Sequence, residues 1–496
     1  SKIEELRYSD NWSIAQDCFS VLSTFDNPQA TKRMLKSMHD HQLYSRLLSN
    51  VSNVHPGNKM FFELMTNDYY NYGLEASNLL GNIDSLKFWI EKVESLGKIT
   101  DPSILFQYNM AKILSYVNKG DVNMASDYIS RCYQVVGTHF TTSAANSTPV
   151  ERMKLLTKLH GLYDVSLLAS DNNEIQYKRN TNRLNARMEM VGPEFNTNHY
   201  LLSVRKSFNM LRNSKEDNSD LVETFYKITK LARDNSRIDI AIDALMNCFQ
   251  YGHPHAELEF AEVLWKQGEN DRALKIVKEI HKRNQNNTKI KKHDKAKVLL
   301  KYTEWLDISN NSSSDLIIKQ YRTVLRLDST WYKPYYSFGL YYSKFLEKKK
   351  ADRFIPDGKL ESQSIAYFLK AFQKNTIQAR EHLPKVVTFW LDTAERLQTP
   401  HLTEAEKVTI GSMNTSSSRE STETIDSFLS KRMFTLKRTT EEICKSVNDA
   451  IDNCPIYIWY SVLTQLLSRL LHGHPKTAAL IRKILLKLTI QYPTHI

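Results

Sequence analysis

Turn-forming residues are scarce in this chain, with 14 glycines and 13 prolines among 496 residues. A β sandwich or barrel needs a turn signal roughly every 8–12 residues, so the composition favours long helices over a many-stranded β fold. Sustained alternation of apolar and polar residues is also missing. The five cysteines, Cys18, Cys132, Cys248, Cys444 and Cys454, form no Cys-x-x-Cys pair. Nor do they make an even disulfide framework, and a reducing, intracellular compartment fits. The longest apolar stretch, Ile456–Leu471, is interrupted by Gln465 and Arg469 and is too short to span a bilayer. A soluble chain with no membrane partner is expected. No Gly-rich phosphate loop occurs, and Pro356-Asp357-Gly358 reads as an isolated turn.

What remains is 41% apolar content with 25 tyrosines, the composition of packed helix pairs. Three segments share one spacing. Gly81 is followed by Leu86, Trp89 and Ile90, Gly120 by Ala125, Tyr128 and Ile129, and Gly268 by Ala273, Ile276 and Val277. Each glycine closes an apolar helix in the left-handed conformation. The acidic or amide residue after it starts the next helix, and the apolar positions that follow form its buried stripe. A looser copy begins at Ser236, with Ala241, Ala244 and Leu245. Neighbouring copies lie 32 to 39 residues apart, close to the tetratricopeptide period. The expected architecture is all-α: an α-solenoid of tetratricopeptide- or HEAT-like helical repeats.

An amphipathic first segment, Lys2–Phe25, precedes helix Gln29–Leu48 and a turn at His55-Pro56-Gly57-Asn58. Polar breaks are expected at Thr141–Pro149, Ser170–Asn182 and Arg212–Asp220, and a charged loop at Lys348–Lys359. In the aromatic segment Trp331–Phe345, residues Tyr335, Phe338, Tyr341, Tyr342 and Phe345 are spaced for one buried helix face. Helices are expected over Ser362–Phe372, Leu383–Leu397 and Ile425–Ile451, with a Ser/Thr-rich mobile loop at 409–424. The chain ends in a helical hairpin, 454–496. In its first arm Trp459, Val462, Leu463, Leu466, Leu467 and Leu470 form one apolar stripe. His472-Gly473-His474-Pro475 turns the chain, and Ala478, Ile481, Ile484, Leu485 and Leu488 line the second arm.

Net charge is +12 with a pI near 9.1. Both signs are spread along the chain, which favours solvated faces over one binding patch. The dense basic run is Lys289–Lys297, with Lys282-Arg283 upstream and Lys348-Lys349-Lys350 as a shorter run. His472-x-His474 and His253-Pro254-His255 could each offer two metal ligands. Without a third ligand nearby both read as loops, and no metal site is assigned.

Three stretches carry a resemblance. They are the helix with Tyr341-Tyr342-Ser343-Lys344 before a long loop, Ser364–Asp392 with its Leu-Pro-x-x-x-x-x-Trp-Leu-Asp pattern, and QLLSRLLHGHP in the hairpin. In this order they resemble the FAT region of the phosphatidylinositol-kinase-related protein kinases, in the ATR-type checkpoint branch and its fungal members. The mTOR and ATM branches fit the Leu-Pro…Trp-Leu-Asp piece less well. On this reading 1–330 is the N-terminal part of the FAT region and 331–496 its C-terminal part. A kinase domain is expected after 496, and the start at Ser1 rather than Met points to a piece of a longer protein.

The resemblance implies a regulatory scaffold in DNA-damage checkpoint signalling in the nucleus. It would clamp its own kinase domain, bind an ATRIP-type regulatory subunit and assemble as a dimer of heterodimers, reaching DNA only through partners. A kinase needs a phosphate-covering loop and a metal-binding Asp. No Asp-Phe-Gly occurs here, so no catalytic or cofactor-binding residue is assigned, and ATP and Mg belong to the parent's kinase domain. The hairpin would face the kinase through Trp459, Leu466 and Leu485. Ser362, before Gln363, is a candidate autophosphorylation site, whereas Thr464-Gln465 is expected to be buried. Two other readings are a free-standing α-solenoid adaptor for protein interactions and a nucleic-acid-binding solenoid resting on the basic balance.

Overall fold

The computed structural model describes residues 28–52, 59–97, 99–143, 148–169, 174–192, 194–212, 218–288, 290–309, 312–351, 358–398 and 421–493. Among them all regular structure is helical. The first-segment helix 2–25, the His55–Asn58 turn and residues 409–420 of the expected loop lie outside the described residues. Two compact units divide at Ala273 and Leu274, within a helix, whereas the sequence reading put a division at 330.

The first unit runs through α1 (Pro28–Asp40), α2 (Tyr44–Ser52), α3 (Lys59–Leu80), α4 (Ile83–Glu94), α5 (Pro102–Lys119) and α6 (Val122–Ser143). It continues with α7 (Pro149–Ala169), α8 (Glu174–Met190), α9 (Phe195–Leu211), α10 (Ser219–Asp234), α11 (Ile238–Gln250) and α12 (Ala256–Lys266). Consecutive helices pack pairwise, α5 on α6 and α10 on α11 most extensively. Helix α5 shows why the boundaries fall where they do. Asp101 accepts from the amides of Ser103 (2.7 Å) and Ile104 (3.3 Å), Pro102 opens the first turn, and Gly120 closes the helix at φ +77°. The Asp121 amide then donates to the Tyr116 carbonyl and the Gly120 amide to that of Val117, satisfying carbonyls the helix end would orphan.

The repeat spacing is present in space. Gly81, Gly120, Gly268 and Ser236 all have positive φ. Leu86, Trp89, Ile90, Ala125, Ile129, Ala241, Ala244, Leu245, Ala273 and Val277 are buried, while Tyr128 and Ile276 are half-buried. One more copy escaped the sequence reading. Gln42 has φ +59°, lies 39 residues before Gly81, and is followed at offsets five and nine by the fully buried Leu47 and Val51. Gly73 sits where a Cβ would come within 2.5 Å of the Trp89 indole, so the crossing of α3 and α4 requires glycine.

Helix α9 is the interior post of this unit, packed by α3, α5, α7 and α10. Being surrounded, it buries polar as well as apolar residues, and these must find partners. Asn198 donates to the Gly192 carbonyl (2.7 Å), the His199 ring bonds Gln42 (2.7 Å), Ser207 donates to the Asn78 carbonyl, and Arg205 pairs with Asp164.

The second unit holds α13 (Asn270–Asn286) from Leu274 onward, α14 (Lys292–Ser309), α15 (Ser314–Leu327), α16 (Tyr332–Ala351), α17 (Lys359–Lys374), α18 (Thr376–Ala379), α19 (Leu383–Gln398) and α20 (Ser421–Asn453). A 3₁₀ segment (Ile456–Val462), α21 (Leu463–Ser468) and α22 (Pro475–Gln491) follow. The aromatic helix α16 is core: Phe338 stacks on Tyr321 at 4.8 Å and meets Tyr367 at 4.3 Å.

Four boundaries differ from expectation. The helix expected over Gln29–Leu48 is two, α1 and α2, parted where Gln42 takes a left-handed φ. Ser170–Asn182 is no extended break, because α8 begins at Glu174; its polar surface is anchored through buried Leu184 and Asn180. Residues 421–424, placed in the loop by their polar composition, form the first turn of α20. Helix α16 runs to Ala351, into the expected charged loop.

Candidate functional site

The C-terminal hairpin is built on α20. Ile443, Val447, Ala450 and Ile451 form its inward stripe and share a core with Trp390 of α19, Trp459 and Val462 of the 3₁₀ segment, and Ile481, Ile484 and Leu488 of α22. Polar contacts fix the register of α22 on α20. Lys483 Nζ donates to Asn448 (2.8 Å) and Asp452 (2.9 Å), Lys487 Nζ donates to Asp452 (2.8 Å), and Lys476 pairs with Glu441 (3.2 Å). These two lysine bonds hold the Asp452 carboxyl below its ordinary range. Arg469 reaches Glu395 at 3.1 Å. Gly473 leaves room for Gln398, whose side chain a Cβ would meet at 2.6 Å.

The two His-x-His motifs turn out to be the same local device. In each, the amide of the second histidine donates to Nδ1 of the first, at 3.1 Å for His474 to His472 and 3.2 Å for His255 to His253. His474 also caps α22, its Nδ1 facing the Thr477 amide (3.4 Å) and hydroxyl (2.9 Å). Burial lowers the His474 pKa, keeping the ring neutral and able to accept. No group of three His, Cys, Asp or Glu able to hold a metal exists among the described residues.

The first arm is not one helix with one stripe. The 3₁₀ segment has about three residues per turn, so the 3.6-residue period does not carry through it, and α21 lasts six residues. Trp459 and Leu466 are fully buried in the chain's own core, and Leu485 is partly buried against it. They face inward and support the hairpin. The exposed large apolar residues of the two arms are Tyr457, Tyr460, Leu467, Leu470, Leu471, Leu486 and Ile490, with Leu471 88% and Ile490 70% exposed. A 3₁₀ interruption leaves no composition signal, which is why sequence periodicity could not separate the exposed residues of the first arm from its buried ones.

The two Ser/Thr-Gln candidates exchange places. Ser362 is 7% exposed in the first turn of α17, whose left-handed Gly358 start turns the residue inward. Thr464 is exposed on α21. Ser362 is therefore inaccessible to a kinase in this fold, contrary to expectation.

Paired helices packed around apolar cores define a helical-repeat fold. The FAT domain family matches residues 74–390 and the ATR-like serine/threonine-protein kinase HEAT repeats match 442–496, so the chain belongs to the FAT-domain family, in its ATR-type kinase branch. Serine/threonine-protein kinase MEC1 of Eremothecium gossypii is 47% identical over the whole chain, and that of Candida glabrata 44%. The chain spans about a fifth of the length of these relatives, 20% of each. A complete CtTel1 dimer with C2 symmetry shares the fold over 100% of the chain and 19% of its own, with a TM-score of 0.60 at 13% identity. The FAT match reaches back over the repeat half, which holds none of the three stretches that carry the resemblance. The hairpin lies outside it, in the HEAT-repeat match.

Proposed function

We propose that this chain is the regulatory scaffold of an ATR-like serine/threonine kinase acting in DNA-damage checkpoint signalling in the nucleus. The observation that carries the reading is the outward apolar side of the hairpin. Isolated exposed leucines are ordinary, but a set on both arms of one hairpin marks an interaction surface. Its occupant is the parent's own kinase domain, where ATP and Mg bind. The inner residues Trp459, Leu466 and Leu485 give that surface a stiff backing, so motion of the repeats reaches the kinase through it. An ATRIP-type subunit and a dimer of heterodimers complete the assembly; the similarity to a Tel1 chain within a dimer supports the second.

The test is basal kinase activity of the parent carrying Leu471→Asp with Leu486→Asp. Both sites are exposed here, so folding should be kept. A changed basal rate at unchanged melting temperature supports the reading, and an unchanged rate refutes it. The alternative, a free-standing adaptor, would leave these leucines open to solvent with nothing to cover them.

A further inference from the structure

The charge of the chain is not evenly placed once the fold is known. Residues 275–297 hold eight lysines and one arginine against one glutamate and one aspartate, +7 of the total +12. They lie on α13, on α14 and on the short connection between them, with the rings of His281 and Tyr302 stacked at 6.2 Å. On α13, Val277 and Ile280 face the core. Lys275, Lys278 and Lys282 fall on the opposite, exposed side, spread over about 10 Å of helix at 1.5 Å per residue. Lys291 and Lys292 are exposed at the helix connection, and Lys295 and Lys297 follow half-exposed. None of these seven lysines forms an ion pair among the described residues, although ion pairs are frequent elsewhere in the chain.

We infer that this lysine ridge is a docking surface for the phosphodiester backbone of nucleic acid. Two features select a phosphate backbone over an acidic peptide. First, the free cations are all ammonium groups, point charges that suit phosphates at any angle, whereas the guanidinium fork fits carboxylates in pairs. Second, no large apolar side chain is exposed among the described residues from 274 to 307, while a docked peptide needs apolar anchors beside its charges. A row of ammonium groups with no base-reading pocket binds by counterion release and without sequence preference. His281 adds no charge to the ridge, since burial lowers its pKa and its ring bonds Gln285 at 2.8 Å. This inference is independent of the hairpin reading.

The experiment is fluorescence anisotropy of the full-length parent complex with a labelled random-sequence DNA duplex over a series of salt concentrations. It compares the unaltered complex with one carrying Lys278→Gln, Lys282→Gln, Lys291→Gln and Lys292→Gln. Four lost phosphate contacts should make the slope of log K against log salt shallower by about 3 to 4, equally for unrelated duplex sequences. An unchanged slope overturns the inference. So does a poly-glutamate peptide that binds with the same lysine dependence where the duplex shows none. A melting temperature equal to that of the unaltered complex keeps the comparison one of binding.

Discussion

The carboxylate of Asp164 accepts from Nε of Arg205 at 2.8 Å, both side chains buried, while its other oxygen accepts from Arg187 at 2.9 Å. One acid on α7 thus ties α8 and α9 together. Burial raises the Asp164 pKa and the two guanidinium groups oppose that rise. Removing the acid would strand a buried arginine. Asp164→Asn should cost roughly 3–5 kcal/mol, the range for breaking a buried pair on one side. Urea unfolding monitored by circular dichroism measures it, and a loss under about 1 kcal/mol would mean the pair is solvated.

His39 makes the first unit sensitive to alkaline pH. Burial alone would lower its pKa, but the charges and hydrogen bonds of Glu75 and Asp40 outweigh burial and raise it to about 9. The ring bonds Glu75 at 3.1 Å and stacks on Tyr72. A raised folded pKa means the folded state keeps a proton that the unfolded state releases above pH ~6.5. The stabilisation is therefore complete below about pH 6.5 and is lost as pH rises towards 9. Melting temperatures should fall across that interval, and His39→Gln should flatten the fall.

Ser236 is a repeat-ending position occupied by the wrong residue for its backbone. At φ +58° a side chain costs about 1 kcal/mol relative to glycine. Ser236→Gly should raise stability by up to that amount, and Gly120→Ala, at φ +77°, should lower it by about 1–2 kcal/mol. Paired denaturation curves decide both signs.

These positions also show what could be read in the residues. Gly81, Gly120 and Gly268 announced the repeat because glycine is the residue a left-handed helix end favours. Gln42 and Ser236 adopt the same conformation without glycine, so one copy was missed and the other looked loose. The second arm of the hairpin was legible because α22 is regular. The first arm was misread because periodicity assumes 3.6 residues per turn, so Leu467 and Leu470 were assigned to a stripe they do not join. Ser362 was misjudged for another reason: its burial depends on the direction in which α17 leaves Gly358, a three-dimensional fact with no local signal.

Inner and outer leucines of the hairpin should separate cleanly. Leu466→Ala empties a fully buried site and should cost about 2–5 kcal/mol, while Leu471→Ala, exposed here, should stay within about 0.5 kcal/mol. Thermal unfolding of the two variants compares them directly.

The most direct check is whether the outer side of the hairpin is covered in the parent kinase. Leu471→Cys places a thiol at a site 88% exposed in this chain, and alkylation of that one peptide can be followed by mass spectrometry in the full-length complex. If the kinase domain docks there, labelling is far slower in the native complex than in the urea-unfolded protein. Labelling at the same rate in both would contradict the docking.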